Sequence, residues 1–261
     1  MNPNEELITS PQNQHLQLVR SLLEQPKARR KHHAFVAEGA RLLEDGLDSE
    51  LPVQFVLYKP EHSPRVDKAL RLLPPTVPLL LVESRLFDHL SDTETSQGVL
   101  AVFSLPTWEL STENNFLLIL DQVRDPGNLG TILRTAEAAG VQAVLLTPGT
   151  TDAWSPKVVR SSMGSHFRLP IFNVDWDTIG TVVGDFQVLQ ADMEGEIAYW
   201  QADLCKPTAL LIGGEAEGIS QEAQRIVTGS ARIPMAGQNE SLNAAISAGI
   251  LLFEVLRQRS G

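Results

Sequence analysis

Residues 116–121 read Phe-Leu-Leu-Ile-Leu-Asp, five apolar side chains in a row before a carboxylate. A strand with one face in water alternates apolar and polar residues. An unbroken run therefore reads as a strand covered on both faces, as in a parallel sheet flanked by helices. VQAVLLT (141–147), FQVLQAD (186–192) and TALLIG (208–213) read as further strands, and ARIPM (231–235) as a last one. Between them LGTILRTAEAAG has helical spacing and closes on Gly140, while SPKVVRSSMG and SQEAQRIVT read as shorter helices. A terminal helix is expected from about Leu242 to Arg257, with Leu242, Ala245, Ile246, Gly249, Ile250, Phe253 and Leu256 on one apolar face. Strands alternating with helices imply an α/β fold on a mostly parallel sheet.

A smaller α/β sandwich precedes it. HLQLVRSLLEQ (15–25) carries Leu16, Val19, Leu22 and Leu23 at helical spacing, and HAFVAEG, VQFVLYK, PLLLVE and GVLAVF read as strands. The division expected is an N-terminal domain over 1–105, a polar linker over 106–115 and a second domain over 116–261.

The formal net charge of −11 argues against a protein that coats nucleic acid non-specifically. One compact basic run, Lys27, Arg29, Arg30 and Lys31 followed by His32 and His33, is where a phosphate backbone would be welcome. Cys205 is the sole cysteine, so neither an intrachain disulfide nor a cysteine metal cluster is expected. The opening MNPNEELITSPQNQ lacks the pattern of a signal peptide, and AAISAGILLFEVL (244–256) is too short to span a bilayer. A cytoplasmic protein without membrane or metal partners is the expectation.

Three turns lie where ligands of such sheets bind, beyond the carboxyl ends of strands. The first, DPGNLGTILR, offers Asn128 as a helix N-cap and Arg134 on the following helix. Its glycines do not make G-x-G-x-x-G, which argues against a dinucleotide-dependent oxidoreductase. The second, GGEAEGIS (213–220), is both glycine-rich and acidic, which suits a ligand carrying positive charge better than a phosphate. Glu217 or Ser220 could cap the helix after it. The third, IPMAGQNESLN (233–243), joins a strand to the last helix, which Ser241 or a neighbour could cap.

In this order, N-x-G-x-x-x-R, G-G-E-x-E-G-I and I-P-M-x-G-x-x-x-S-L-N resemble the three motifs of the SpoU family of RNA ribose methyltransferases, within the SPOUT class. The resemblance spans about Asn115 to Arg259. More loosely, the first half resembles the small RNA-binding, ribosomal-protein-like domain that precedes many catalytic domains of this family. Thr131, Ala244 and Ser96 depart mildly from the commoner residues. The resemblance implies a deep trefoil knot, a homodimer, S-adenosylmethionine as methyl donor and the 2′-hydroxyl of an RNA ribose as acceptor. Ribosomal RNA is favoured over transfer RNA. A non-catalytic RNA-binding protein on the same fold is the alternative, disfavoured because it would not need all of Asn128, Arg134, Glu215, Ser241 and Asn243.

The site it implies has Ile212, Gly213, Gly214, Glu215, Gly218, Ile233, Pro234, Met235, Ser241, Leu242, Asn243 and Ala245 around the donor. The glycines would let main chain approach an adenosyl group closely. Glu215 either offsets the donor's positive charge or holds its own loop. Asn128, Ser241 and Asn243 would position neighbours. A guanidinium is a poor general base because it stays protonated. Arg134 would therefore bind the adjacent phosphate and polarise the hydroxyl, with phosphate-assisted deprotonation as the bolder version. RNA contacts are expected from Arg20, Arg29, Arg30 and Lys31, and from Lys157 and Arg160 beside the first turn.

Overall fold

The computed structural model describes residues 7–49, 51–91, 96–214, 218–237 and 241–260. It divides into two compact units, 1–107 with 154–167, and 108–153 with 168–261.

The first unit contains helices α1 (Gln14–Glu24) and α2 (Pro26–His32), strand β1 (Ala34–Glu38), α3 (Ala40–Asp48), β2 (Val53–Tyr58), α4 (Pro64–Leu70), β3 (Leu79–Leu81), α5 (Ser84–Asp88) and β4 (Val99–Ser104). Its sheet has the order β1-β4-β2-β3, antiparallel except for the β2–β3 pair. Alternation along β1 sends Ala34 and Val36 into one core with Leu16, Val19 and Leu22 of α1, while Phe35 faces the other way. On that second face Phe35 stacks with Phe103, centroids 5.7 Å apart. Two such rings need more cover than α3 alone supplies. The segment 154–167 completes it, Trp154 lying 4.8 Å from Phe35 and Phe167 lying 5.1 Å from Phe103. Gly46 of α3 makes room, since a Cβ there would sit 2.4 Å from the Phe103 ring. A single cut near residue 105, the division expected from sequence, leaves this aromatic layer half built. The compact unit therefore takes in 154–167, including the short helix α7 (Pro156–Ser161).

The second unit carries β5 (Phe116–Asp121), α6 (Pro126–Ala138), β6 (Ala143–Leu146), β7 (Ile171–Asn173), α8 (Trp176–Val182), β8 (Gln187–Ala191), β9 (Ile197–Ala198), β10 (Thr208–Gly213), α9 (Gln221–Gln224), β11 (Gly229–Arg232) and α10 (Ala244–Arg259). The strands form one parallel sheet, ordered β7-β6-β5-β10-β8-β11-β9. β5 and β10, the most uninterrupted apolar runs, lie side by side in its middle, and every residue of β5 is buried.

Two expectations are corrected. β11 stops at Arg232, so Ile233, Pro234 and Met235 are loop, as a proline without an N–H would require inside a ladder. On α10 the face packed inward is Ala244, Ala245, Ala248, Leu251, Leu252 and Val255. Ile246 and Phe253, on the apolar face expected from sequence, lie away from it and are 55% and 48% exposed. The helix is apolar on both sides, so periodicity could not choose between them.

Arg29 is also relocated. It is only 3% exposed, and its guanidinium donates to the carbonyl oxygens of Leu22 and Leu23 in the last turn of α1. It closes a helix end that would otherwise leave carbonyls unpaired. Arg20, Arg30 and Lys31 stay exposed. Arg29→Ala is expected to lower unfolding free energy by about 1–3 kcal/mol, the cost of stranding buried acceptors. Lys31→Ala should leave the denaturation midpoint unmoved in the same urea titration.

Candidate active site

Three parallel strands of the second unit end on one cavity of about 600 Å³. Gln190 and Ala191 approach it from β8, Ile212 and Gly213 from β10, and Ala231 from β11. A volume of this size suits a small-molecule ligand. Gly214, Gly218, Ile233, Met235, Ser241, Leu242 and Asn243 also line it. Nine of the residues expected around the donor are thus brought together. Pro234 and Ala245 are not on the wall, Ala245 being a buried residue of α10. Glu215 lies outside the described residues.

Gly214 and Gly218, on either side of the second turn, exchange N–H···O bonds of 3.0 and 3.1 Å as an antiparallel bridge. Gly218 takes φ +67°, and a Cβ on Gly214 would lie 2.7 Å from the carbonyl oxygen of Gln122. These glycines therefore serve the turn first: one bends it, the other seats it against the end of β5.

Asp121, the last residue of β5, fixes that seat. It is fully buried, accepting from Thr147 Oγ1 at 2.8 Å and from the Ser220 backbone N–H at 2.6 Å. One carboxylate thus ties the ends of β5 and β6 to the far side of the second turn. Sequence reading passed over it as the end of an apolar run. The signal was there: an acid closing a doubly covered strand is expensive to bury unless it has partners.

The first turn also differs in detail. Asp125 caps α6, accepting from the Asn128 N–H at 2.7 Å, so Asn128 is the third residue of the helix rather than its cap. Its side chain is directed elsewhere. Asn243 caps α10 by accepting at Oδ1 from the Ala245 and Ile246 N–H groups, and its Nδ2 donates to Asn128 Oδ1 at 2.9 Å. Because Oδ1 must face the backbone donors, the orientation of the Asn243 amide is determined. First and third turns are thereby joined, 115 residues apart in sequence. Arg134 is exposed on α6 and does not line the cavity, and α10 packs against α6.

The fourth wall was missed altogether. Gln190, Ala191, Asp192 and Met193, at the end of β8, line the cavity beside the second turn. No motif marks that stretch. Among the described residues no group of three or more His, Cys, Asp and Glu side chains could hold a metal ion, and no helix is long and apolar enough to cross a membrane. Lys157 and Arg160 lie on α7, which packs against β1 within the first unit.

The fold is that of RNA methyltransferases solved with their cofactor. The AdoMet complex of the SpoU methyltransferase AviRb from Streptomyces viridochromogenes superposes with a TM-score of 0.85 at 30% identity, over 95% of this chain and 98% of that one. An AdoMet-bound rRNA methyltransferase from Sinorhizobium meliloti gives 0.85 at 33% identity, over 97% of each. The chain belongs to the SpoU rRNA methylase family, whose profile matches residues 115–253, and an MRM3-like substrate binding domain matches residues 13–101. It is 34% identical to the 23S rRNA (guanosine(2553)-2′-O)-methyltransferase RlmP of Bacillus subtilis, over 88% of this chain and 91% of that protein. It is 32% identical to human mitochondrial rRNA methyltransferase 3, over 96% of this chain and 74% of that protein.

Asp121→Ala is expected to cost about 1.5–3 kcal/mol of stability, as for hydrogen bonds to a charged group, and to raise the Kd for S-adenosylmethionine. Gly214→Ala should weaken donor binding as well, because the turn must move off the Gln122 carbonyl. Isothermal titration beside thermal melts reads both effects.

Proposed function

We propose that this protein methylates the 2′-hydroxyl of a ribose in ribosomal RNA, with S-adenosylmethionine as donor. The observation that carries the reading is the single cavity at the strand ends, walled by the second and third turns and tied to the first through Asn243 and Asn128. Its lining fits the donor. Ile212, Ile233, Leu242 and Met235 offer apolar walls, the main chain at Gly213, Gly214 and Gly218 offers amides and carbonyls, and the described lining holds no cation to repel a sulfonium. When bound, S-adenosylmethionine supplies an electrophilic methyl group.

The protein's part is orientation and electrostatics. Asn243 and Asn128 hold the third and first turns in register, which sets where an acceptor ribose can lie. Arg134, on the helix that the first turn opens, binds the phosphate next to that ribose and polarises the hydroxyl, so that its proton leaves more readily as the oxygen attacks. Glu215 holds the second turn or offsets donor charge. The first unit supplies RNA affinity through Arg20, Arg30, Lys31, Lys157 and Arg160, a role supported by its match to a substrate binding domain. Arg29 drops out of that set because its guanidinium is buried.

The proposal includes a homodimer. Ile246 and Phe253, both exposed on α10, are the apolar side chains offered for its contact. It also includes the knotted threading of the family and residence in the cytoplasm.

Incubation with ribosomal RNA and labelled donor should place label on ribose. Arg134→Ala should lower the rate by about 10²–10³, the usual loss for one electrostatic stabiliser, while the donor Kd stays put. Label on no RNA would leave only a binding protein. Arg30→Ala with Lys31→Ala should weaken RNA binding and flatten its salt dependence by about 0.7 per lost contact on single-stranded RNA. Phe253→Glu should turn a dimer into a monomer in light scattering.

A further inference from the structure

The cavity wall contains one formally charged residue among those described. Its described lining is apolar or neutral except for Asp192, at the end of β8. The Asp192 carboxylate is half-buried and held in place: Oδ1 accepts from the Glu194 N–H at 2.9 Å and Oδ2 from Gln190 Nε2 at 3.1 Å. A carboxylate offers about four lone-pair sites, so two such bonds leave acceptor capacity for a ligand. The backbone of this loop is fixed by a close approach, since a Cβ on Gly195 would lie 2.7 Å from the Ala231 carbonyl carbon and the Arg232 nitrogen. Arg232 reinforces it by donating to the Gly195 and Glu196 carbonyls at 2.7 and 3.1 Å.

Donor and product differ in charge. S-adenosylmethionine carries a sulfonium, an ammonium and a carboxylate, a net charge of +1. S-adenosylhomocysteine has lost the sulfonium and is net neutral. A fixed negative charge in a cavity partly shielded from water attracts the first more strongly than the second, whichever group it touches. We propose that Asp192 is a specificity-determining residue that favours the cationic donor over the neutral product, so that product leaves and donor replaces it. Gln190 is its positioning residue. The inference rests on the methyltransferase reading of the cavity and adds to it a residue outside the three sequence turns.

The test is calorimetric titration of the full chain with three ligands: S-adenosylmethionine, S-adenosylhomocysteine, and sinefungin, whose amine restores the +1 charge without a sulfonium. Asp192→Asn keeps the size and the acceptor towards Glu194. It should weaken S-adenosylmethionine and sinefungin by about tenfold, an effect expected of one carboxylate at short range, and S-adenosylhomocysteine by less than twofold. Asp192→Glu should recover most of the discrimination. Equal weakening of all three ligands, or no change in any, overturns the proposal. If the wild-type chain binds neither donor nor product, the methyltransferase reading itself fails, a result distinct from failure at Asp192. Melting curves of both variants separate loss of charge from loss of fold.

Discussion

A carboxylate at the end of a buried strand is the constraint on which the site depends. Asp121 has no access to solvent, so its charge is tolerable only if protein donors replace water. The donors it finds, Thr147 Oγ1 and the Ser220 N–H, come from the end of β6 and from the far side of the turn after β10. The need to satisfy one buried acid thus fixes the second turn relative to the sheet. Gly214 then settles onto the Gln122 carbonyl because no Cβ holds it off. A cavity whose wall is a loop is only as definite as that loop's anchors. Here the anchor is the sheet itself.

The third turn obtains its definition differently. Asn243 does two jobs with one amide: its oxygen caps α10 and its nitrogen reaches Asn128 on α6. Helix capping and active-site geometry are therefore the same interaction, and a cap residue lacking the second donor, such as serine, could do only half of it. Packing of α10 against α6, with Gly249 set 3.6 Å from Thr135 at its would-be Cβ, brings the helices close enough for that bond.

Much of this was legible in sequence, and the exceptions have physical causes. The apolar runs of β5 and β10 announced a doubly covered parallel sheet, because a strand with one face in water alternates apolar and polar side chains. The three turns announced a site, because glycine, carboxylate and asparagine at those spacings ill suit plain loops. What escaped was whatever depends on a partner distant in the chain. Phe35 and Phe103 are ordinary strand aromatics until Trp154 and Phe167 are seen to complete their layer. Arg29 looked like one more cation in a basic run, yet the same long side chain that reaches a phosphate reaches its own helix end. α10 is apolar on two faces, so a 3.6-residue period identifies the helix but not its inner side. The wall around Asp192 carries no motif, and its place on the cavity follows from β8 lying between β10 and β11.

Charge placement closes the account. An enzyme that binds a cation and a polyanion faces opposite electrostatic demands, and a net charge of −11 meets the first at the expense of the second. Screening confines each interaction to about 10 Å at ordinary ionic strength, so the charges nearest each ligand matter more than the net charge. The cavity of the second unit shows one acid and no base among its described lining. The exposed bases Arg20, Arg30, Lys31 and Lys157 all belong to the first unit. A net charge this negative gives a polyanion no long-range steering, so the capture proposed for RNA rests on short-range phosphate contacts. Arg134 is an exposed cation on α6 outside the cavity wall, so the phosphate-binding role proposed for it adds no positive charge to that wall.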